Sequence, residues 1–362
     1  MAGDIIFVLL WKTFSIRANP EKMMNKRITI KDVAQAADCS FVAVSRVLSC
    51  KDLNHVSLDV QKRVRDAAER LGYKPSQAAR ALRTGRTNTI GLVLGAFYNR
   101  MEGCVAHALM ADAKKRGYRL IISITNYDPQ EEAAALEDIL NRQVDGVIYT
   151  LSLDPGTSLA RSLAETRYPI LLQDNTQNMF NSVWYDYDEA LRGVFTSFRN
   201  HGCRKVAMIC SIFNGQVEYR RKLARRYGIT LECFTHGDGD HSLEAAYAEI
   251  VRSRIPGVFA LESMVLKNLL EYRAAASPDY HPACIYAHTL PFEYLHYDGV
   301  LGAVYRPFRA LSERRLERLI EMIGNPRTRC RPIQMPCRFL DVAELKRIHE
   351  DQMNDPYYQY FK

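Results

Sequence analysis

The residues of this chain whose types could do chemistry at a fixed spacing lie early, in the run Ser40-Phe41-Val42-Ala43-Val44-Ser45-Arg46. On a helix, Phe41, Ser45, Arg46 and Ser49 fall on the outward side, while Val42, Val44, Val47 and Leu48 supply apolar positions. An arginine fork with hydroxyls and an aromatic edge recognises partners rather than making bonds; such groups meet phosphate oxygens and base edges. A helix carrying them needs a scaffold, and the flanking residues predict one. Thr29 can cap a helix whose Ile30, Val33, Ala34 and Ala37 share one face, with Asp32 at the positive end of its dipole. Asp38-Cys39-Ser40 breaks that pattern, and Ser40 can cap the next helix. Two short helices joined this tightly form a helix-turn-helix, whose second helix enters the major groove. A third helix is expected from Ser57, through Val60, Val64, Ala67, Ala68 and Leu71, to Gly72.

A plain three-helix bundle would show the same periodicity, and charge separates the two readings. Residues 25–86 hold thirteen Lys/Arg against six Asp/Glu, a net +7. Residues 1–24 carry +1, and residues 87–362 balance at 33 against 33, so nearly all of the net +8 lies in one small domain. A basic domain on a neutral body is the electrostatic footprint of a phosphate-backbone partner.

The runs TIKDVAQAADCSFVAVSRVL (29–48) and VSLDVQKRVRDAAERLGYKPSQAARALRTGRTNTIGLVL (56–94) closely resemble the start of the lactose/galactose-repressor family of bacterial transcription factors. The resemblance implies that Phe41, Val42 and Arg46 read operator bases. It implies that Ser76 to Leu82 form a hinge that becomes helical on DNA, and that Leu82 wedges into the minor groove and kinks it. Thr29, Ser40, Ser45, Ser57, Ser76, Gln77, Ala79 and Arg83 complete the expected DNA-binding set. The head departs from the family at Ala43, where Thr is usual, and at Ser76, where Asn is usual. Phe41 and Val42 suit a thymine methyl, and Arg46 suits a bidentate contact to guanine.

Downstream, apolar runs alternate with amphipathic stretches. Strands are predicted at 89–96, 118–125, 145–151, 169–174, 205–211, 231–235, 257–261 and 283–288, and helices at 102–117, 131–142, 158–166, 187–201, 216–227, 243–254 and 264–275. This alternation predicts doubly wound parallel sheets, too many strands for one, with a ligand at their carboxyl ends. The expected fold class is an all-α helix-turn-helix head with a hinge helix, then an α/β two-lobed body like periplasmic binding proteins. The segments GYRLIIS, DGVIYTLS, HGCRKVAMI, PGVFA and RPIQMPCRFLD sit in family order, and the resemblance implies three crossovers between lobes, near 183–188, 286–291 and 306–335. The expected division is a tail at 1–24, a head at 25–74, a hinge and linker at 75–87 and an effector-binding, dimerising body at 88–362. Lobe 1 takes 88–183 and part of 288–335, and lobe 2 takes 188–286 and the C-terminal region.

The pocket departs from the family more than the head does. Gln216 stands where a sugar-binding Arg is usual, with Arg220 and Arg221 one turn away. Glu262-Ser263 replace Asn-Asp, and Thr289-Leu290 replace the Asp after the CIYAH strand, whereas Asp174 and Asp186 match family acids. Planar guanidinium forks and carboxylates suit vicinal hydroxyls. The expected lining is therefore Phe97, Tyr98, Asp174, Trp184, Tyr185, Asp186, Gln216, Glu262 and Thr289, for a non-standard effector or for none.

Other functions lack their residues. There is no phosphate loop of the Walker type, no GxSxG elbow, no HExxH and no Cys/His cluster at metal spacing. The nine cysteines form no CxxC pair, as expected of reduced thiols. The run His236-Gly-Asp-Gly-Asp-His241 reads as a turn. The apolar run Ile5–Trp11 is too short to span a bilayer, and its basic residues follow it, the wrong order for secretion. It reads as an appended tail or an early start ahead of Met23 or Met24. No enzyme activity, cofactor, metal or membrane is expected. The expected partners of this cytoplasmic homodimer are double-stranded operator DNA and a small-molecule effector, the alternatives being a solute-binding protein or a ligand-independent DNA-binding regulator.

Overall fold

The computed structural model describes residues 28–49, 53–74, 81–82, 84–97, 100–150, 168–172, 181–210, 217–235, 243–288, 297–326 and 331–353. The chain divides into two compact units, residues 1–87 and 88–362. Each is described by itself.

In the first unit, α1 (Ile30–Ala36), α2 (Phe41–Ser49) and α3 (Leu58–Arg70) bury Val33, Ala37, Val44, Val47, Val64 and Ala67 against one another. Side-chain chemistry sets each helix end. Thr29 and Asp32 form a capping box: the Asp32 amide donates to Thr29 Oγ1 at 3.4 Å and the Thr29 amide to the Asp32 carboxylate at 2.7 Å. The chain leaves α1 through Asp38 at φ +46°, with the Cys39 amide donating back to the Ala34 carbonyl at 3.1 Å. Ser40 Oγ accepts from the Ala43 amide at 3.2 Å, and Ser57 Oγ accepts from the Val60 amide at 3.4 Å. Gly72, at φ +63°, ends α3 in the same left-handed manner. The buried Gln61 ties in the turn before α3, donating from Nε2 to the Leu53 and Val56 carbonyls.

The second unit contains two larger sheets and a ribbon. The first sheet, in order β2 (Arg119–Ile124), β1 (Thr89–Leu94), β3 (Gly146–Tyr149) and β4 (Ile170–Leu172), is wholly parallel. Its central strands are near-continuous apolar runs because helices cover both faces. On one face, α4 (Arg100–Lys115) packs beside α10 (Phe308–Gly324). On the other, α5 (Pro129–Asn141) lays Leu136 and Ile139 on the sheet. The second sheet has the order β12 (Arg338–Asp341), β10 (Val300–Tyr305), β9 (Ala283–His288), β8 (Gly257–Ala260), β6 (Lys205–Cys210) and β7 (Thr230–Thr235), with β12 alone antiparallel. Around it lie α6 (Asp188–Asn200), α7 (Val217–Arg226), α8 (Leu243–Arg252), α9 (Ser263–Ala276) and α11 (Val342–Met353). Between the sheets, β5 (Val183–Asp186) and β11 (Ile333–Pro336) run side by side in parallel.

The described chain passes between the sheets at three places: from β5 into α6, from β10 into α10, and from β11 into β12. The passage expected near 286–291 is corrected. Both β9 and β10 belong to the second sheet and pair in parallel, so the chain leaves that sheet at His288 and returns to it at Val300. The stretch 306–335, expected only as a crossover, contains the seventeen-residue α10. RPIQMPCRFLD also splits: β11 joins β5, whereas β12 is the edge of the second sheet. The helix expected at 158–166 lies outside the described residues. Among the described residues no helix is long and apolar enough to cross a membrane.

Gly302 explains how β10 takes β12 on its edge. It sits at a register shift with φ +158°, and an added Cβ would lie 2.2 Å from the Leu340 carbonyl oxygen. Gly302→Ala should therefore destabilise the body by roughly 2 kcal/mol or more, read as a lower thermal midpoint, because backbone on both strands must move.

Candidate nucleic-acid interface and interlobe cleft

The helix-turn-helix presents its second helix with two large apolar side chains in solvent. Phe41 is 50% exposed and Val42 is 54% exposed, at the first turn of α2. Val42 was expected among the packed positions. Of the expected Val42, Val44, Val47 and Leu48, the core buries Val44 and Val47, a spacing of three that leaves Val42 outside. Arg46 and Ser45 are half-buried one turn further on. Ser49 returns its hydroxyl to the Ser45 carbonyl at 2.6 Å, so it serves the helix end. Thr29, Ser40 and Ser57 are exposed at their caps. The Thr29 hydroxyl is also committed to Asp32 at 2.7 Å. Leu82 lies in a short helical piece and is 89% exposed. Ser76, Gln77, Ala79 and Arg83 lie outside the described residues. This surface offers a hydrophobic edge and the Ser40 hydroxyl at the positive end of α2, with Arg46 in its last turn, groups of the kind that meet base edges and phosphates.

In the body, Tyr98, Asp174, Gln216 and Thr289 lie outside the described residues. Of the remaining expected cleft residues, Tyr185 lines a cavity, together with Leu94, Glu102, Val105, Thr150, Leu311 and Arg315. Trp184 does not share that lining. Successive residues of β5 point to opposite faces, and the alternating burial of Val183–Asp186 follows that rule. Phe97 is exposed, while Asp186 accepts the Asp188 amide at 3.0 Å at the start of α6. Glu262 stands just ahead of α9 without a capping bond to it.

Sequence reasoning missed Arg315 and Glu102. Arg315 is fully buried on α10, where Leu311, four residues before it, occupies the same apolar face. A charge at the core spacing of a helix was the available signal. Its Nε donates to the Val183 carbonyl at 3.1 Å, whereas Nη1 and Nη2 have no partner among the described residues. Burial pulls this guanidinium down to about 10 against the opposing influence of Tyr185 and Tyr187. It is still charged at neutral pH. Glu102 accepts the Ala96 amide at 2.8 Å and the Tyr127 hydroxyl at 3.0 Å. Burial holds its carboxyl above the usual carboxylate range, and those hydrogen bonds only partly offset it.

A helix-turn-helix unit and an α/β body with two largely parallel sheets and three passages between them define the class. Residues 29–76 match the family model described as bacterial regulatory proteins, lacI family. The match covers the head alone, 48 of the chain's 362 residues. Catabolite control protein A of Priestia megaterium is 27% identical over 198 residues, 54% of this chain and 59% of that protein. The HTH-type transcriptional regulator pepR1 of Lactobacillus delbrueckii subsp. lactis is 34% identical over 191 residues, 51% of this chain and 56% of that protein. The chain thus spans between half and two thirds of the length of these curated relatives. A lac repressor dimer, solved bound to operator and the anti-inducer ONPF, has the same fold, with a TM-score of 0.72 at 18% identity over 87% of this chain and 98% of that one.

The raised Glu102 has a signed consequence. The native state holds its proton at pH values where the unfolded chain has released it, so stability falls as pH rises from the ordinary carboxylate value through the raised one. Urea unfolding across pH 4–8 should show this fall, and its contribution should disappear in Glu102→Gln.

Proposed function

We propose that this protein is a dimeric transcriptional regulator that binds a palindromic operator and answers to a small molecule held between the lobes of its body. The observation that carries the reading is the solvent-facing Phe41 and Val42 at the start of the second helix of a basic helix-turn-helix. Two adjacent exposed apolar residues on the turn aimed at a groove suit contact with thymine methyl groups. We assign the tail to 1–24, the head to 25–74, the hinge to 75–87 and the effector-binding, dimerising body to 88–362. Two heads would read half-sites in adjacent major grooves, with the hinges pairing at the operator centre. The operator-bound lac repressor dimer and the named regulators support this reading.

The effector would act by changing the relation of the lobes, and through it the spacing of the hinges, which couples two distinct sites. Its place is the region where the three passages meet. Partners are operator DNA, an effector and a second copy of the chain, in the cytoplasm with no catalytic role.

Gel shift on selected palindromic DNA tests the proposal. Affinity should fall steeply as salt rises, as counterion release requires, and a salt-independent affinity would contradict it. Arg46→Ala should cost about 1–3 kcal/mol on the selected site and relax preference at one base pair. Leu82→Ala should remove most specific affinity and leave non-specific binding intact; equal loss of both would show that Leu82 is no wedge.

A further inference from the structure

At the amino ends of β6 and β7 the chain has just left α6 and α7, and both helices carry arginine in their last turn. The Thr230 amide donates to the Arg204 carbonyl at 2.8 Å and the Gly228 amide to the Arg225 carbonyl at 3.0 Å, so the two exits lie side by side. Arg199 stands over the Tyr227 ring, its Cζ 5.8 Å from the centroid. A Cβ on Gly228, at φ +69°, would lie 3.2 Å from Arg204 Nη1. Side chains from α6, from the turn before β6 and from α7 thus gather round Tyr227 and Gly228. Lys222 shares the outward side of α7 with Arg225 and Arg226, at the spacing of helical neighbours. Arg199, Arg204, Lys222, Arg225 and Arg226 are exposed and join no ion pair among the described residues. Residues 199–205 and 222–232 hold six Lys/Arg against one carboxylate, Glu232, which Lys205 takes at 2.9 Å. Glu249, on α8 and within electrostatic reach of Lys205, accepts from Arg252 and from the Ser253 hydroxyl.

A helix C-terminus favours a nearby cation, which accounts for Arg199, Arg225 and Arg226 one at a time. It does not account for Arg204, which lies outside any helix, or for Lys222, a turn earlier. Nor does it explain why these charges meet on one turn of a body whose total charge is zero. Four of the five are arginines, whose planar forks match phosphate oxygens in pairs. No large apolar side chain is exposed in these two segments among the described residues. A protein partner desolvates an apolar centre, whereas nucleic acid meets a polar, positively charged and hydrated surface. We propose that this face of the body is a second DNA-binding surface, which holds the phosphate backbone of a duplex without reading its sequence. Helix ends and a turn supply contacts that position a backbone, with no element placed to enter a groove. While the head holds its own site, a second duplex segment of the same DNA meets this face at high effective concentration. The proposal stands apart from the effector reading and does not depend on operator recognition.

The test saturates the full chain with unlabelled operator duplex, then titrates a fluorescent duplex of unrelated sequence while anisotropy is read. The saturated protein should still bind the second duplex, with log affinity falling linearly in log salt. Arg225→Gln combined with Arg226→Gln should weaken that binding about tenfold and lower the salt slope by about two, because each phosphate contact contributes about 0.9. Operator affinity of the same variant should stay unchanged. Should the double variant melt below the parent, Arg204→Gln, outside any helix, should lower the slope by about one. Should the head bind no operator, the same variants still read the body's share of non-specific binding, so the two failures remain distinct. Absence of second-duplex binding by the operator-saturated protein overturns the proposal, as does an unchanged slope in both variants. Poly-glutamate of equal charge binding as tightly as the duplex would assign the face to an acidic protein segment and overturn it likewise.

Discussion

Where the body's chain passes between its two sheets, backbone amides must find partners inside a strip only two strands wide. The pairing of β5 with β11 meets that requirement, and Cys337 continues it by donating its amide to the Asp186 carbonyl at 2.7 Å before β12 joins the second sheet. An amide left unpaired there would cost about 1–3 kcal/mol, so the register of the strip is strongly held. That register decides which side chains meet. It places Tyr185 toward α10, sends Trp184 to the opposite face, and seats Cys337 in the core between the two sheets. Even Arg315 is drawn into the arrangement through its bond to the Val183 carbonyl.

The head solves a different problem with fewer residues. Its helices are short, so caps and left-handed exits define them, and a handful of valines and alanines hold them together. The spacing that buries Val44 and Val47 turns Phe41 and Val42 outward. The exposed Phe41 and Val42 and the core valines thus use different faces of one helix, and the net positive charge is confined to this unit while the body stays neutral.

Strong local signals set the helix ends and the central strands. Thr29, Ser40, Ser57 and Gly72 each end or begin a helix as their chemistry predicts, and the apolar runs that became β1, β3, β6 and β8 stand in the expected order. The cleft was harder to read. Similarity to sugar-binding lobes directs attention to Gln216, which lies outside the described residues, and to Glu262 and the aromatics near 97 and 184, and it gives no signal for the cavity that brings the expected Tyr185 to Arg315 and Glu102. Those two residues lie more than two hundred positions apart in the sequence. Helix α10 went unread because Ser312, Arg315 and the other arginines of RALSERRLER interrupt its apolar stripe, giving the stretch the composition of a surface segment.

The sequence by itself determined the parts whose physics is local: helix caps, turn residues, alternating apolar runs and the basic head. Each depends on neighbours within a few positions, and those neighbours are written next to one another. Only the tertiary structure decided where the chain passes between the sheets, which face of β5 meets α10, and that a buried arginine would stand there with both Nη groups unpaired among the described residues. Those outcomes depend on strand order and on the pairing of segments separated by more than a hundred residues, β5 with β11 and α10 with α4 among them. Burial is a property of the assembled packing, so the charge of Arg315 acquires its meaning only once the sheets and helices have closed around it.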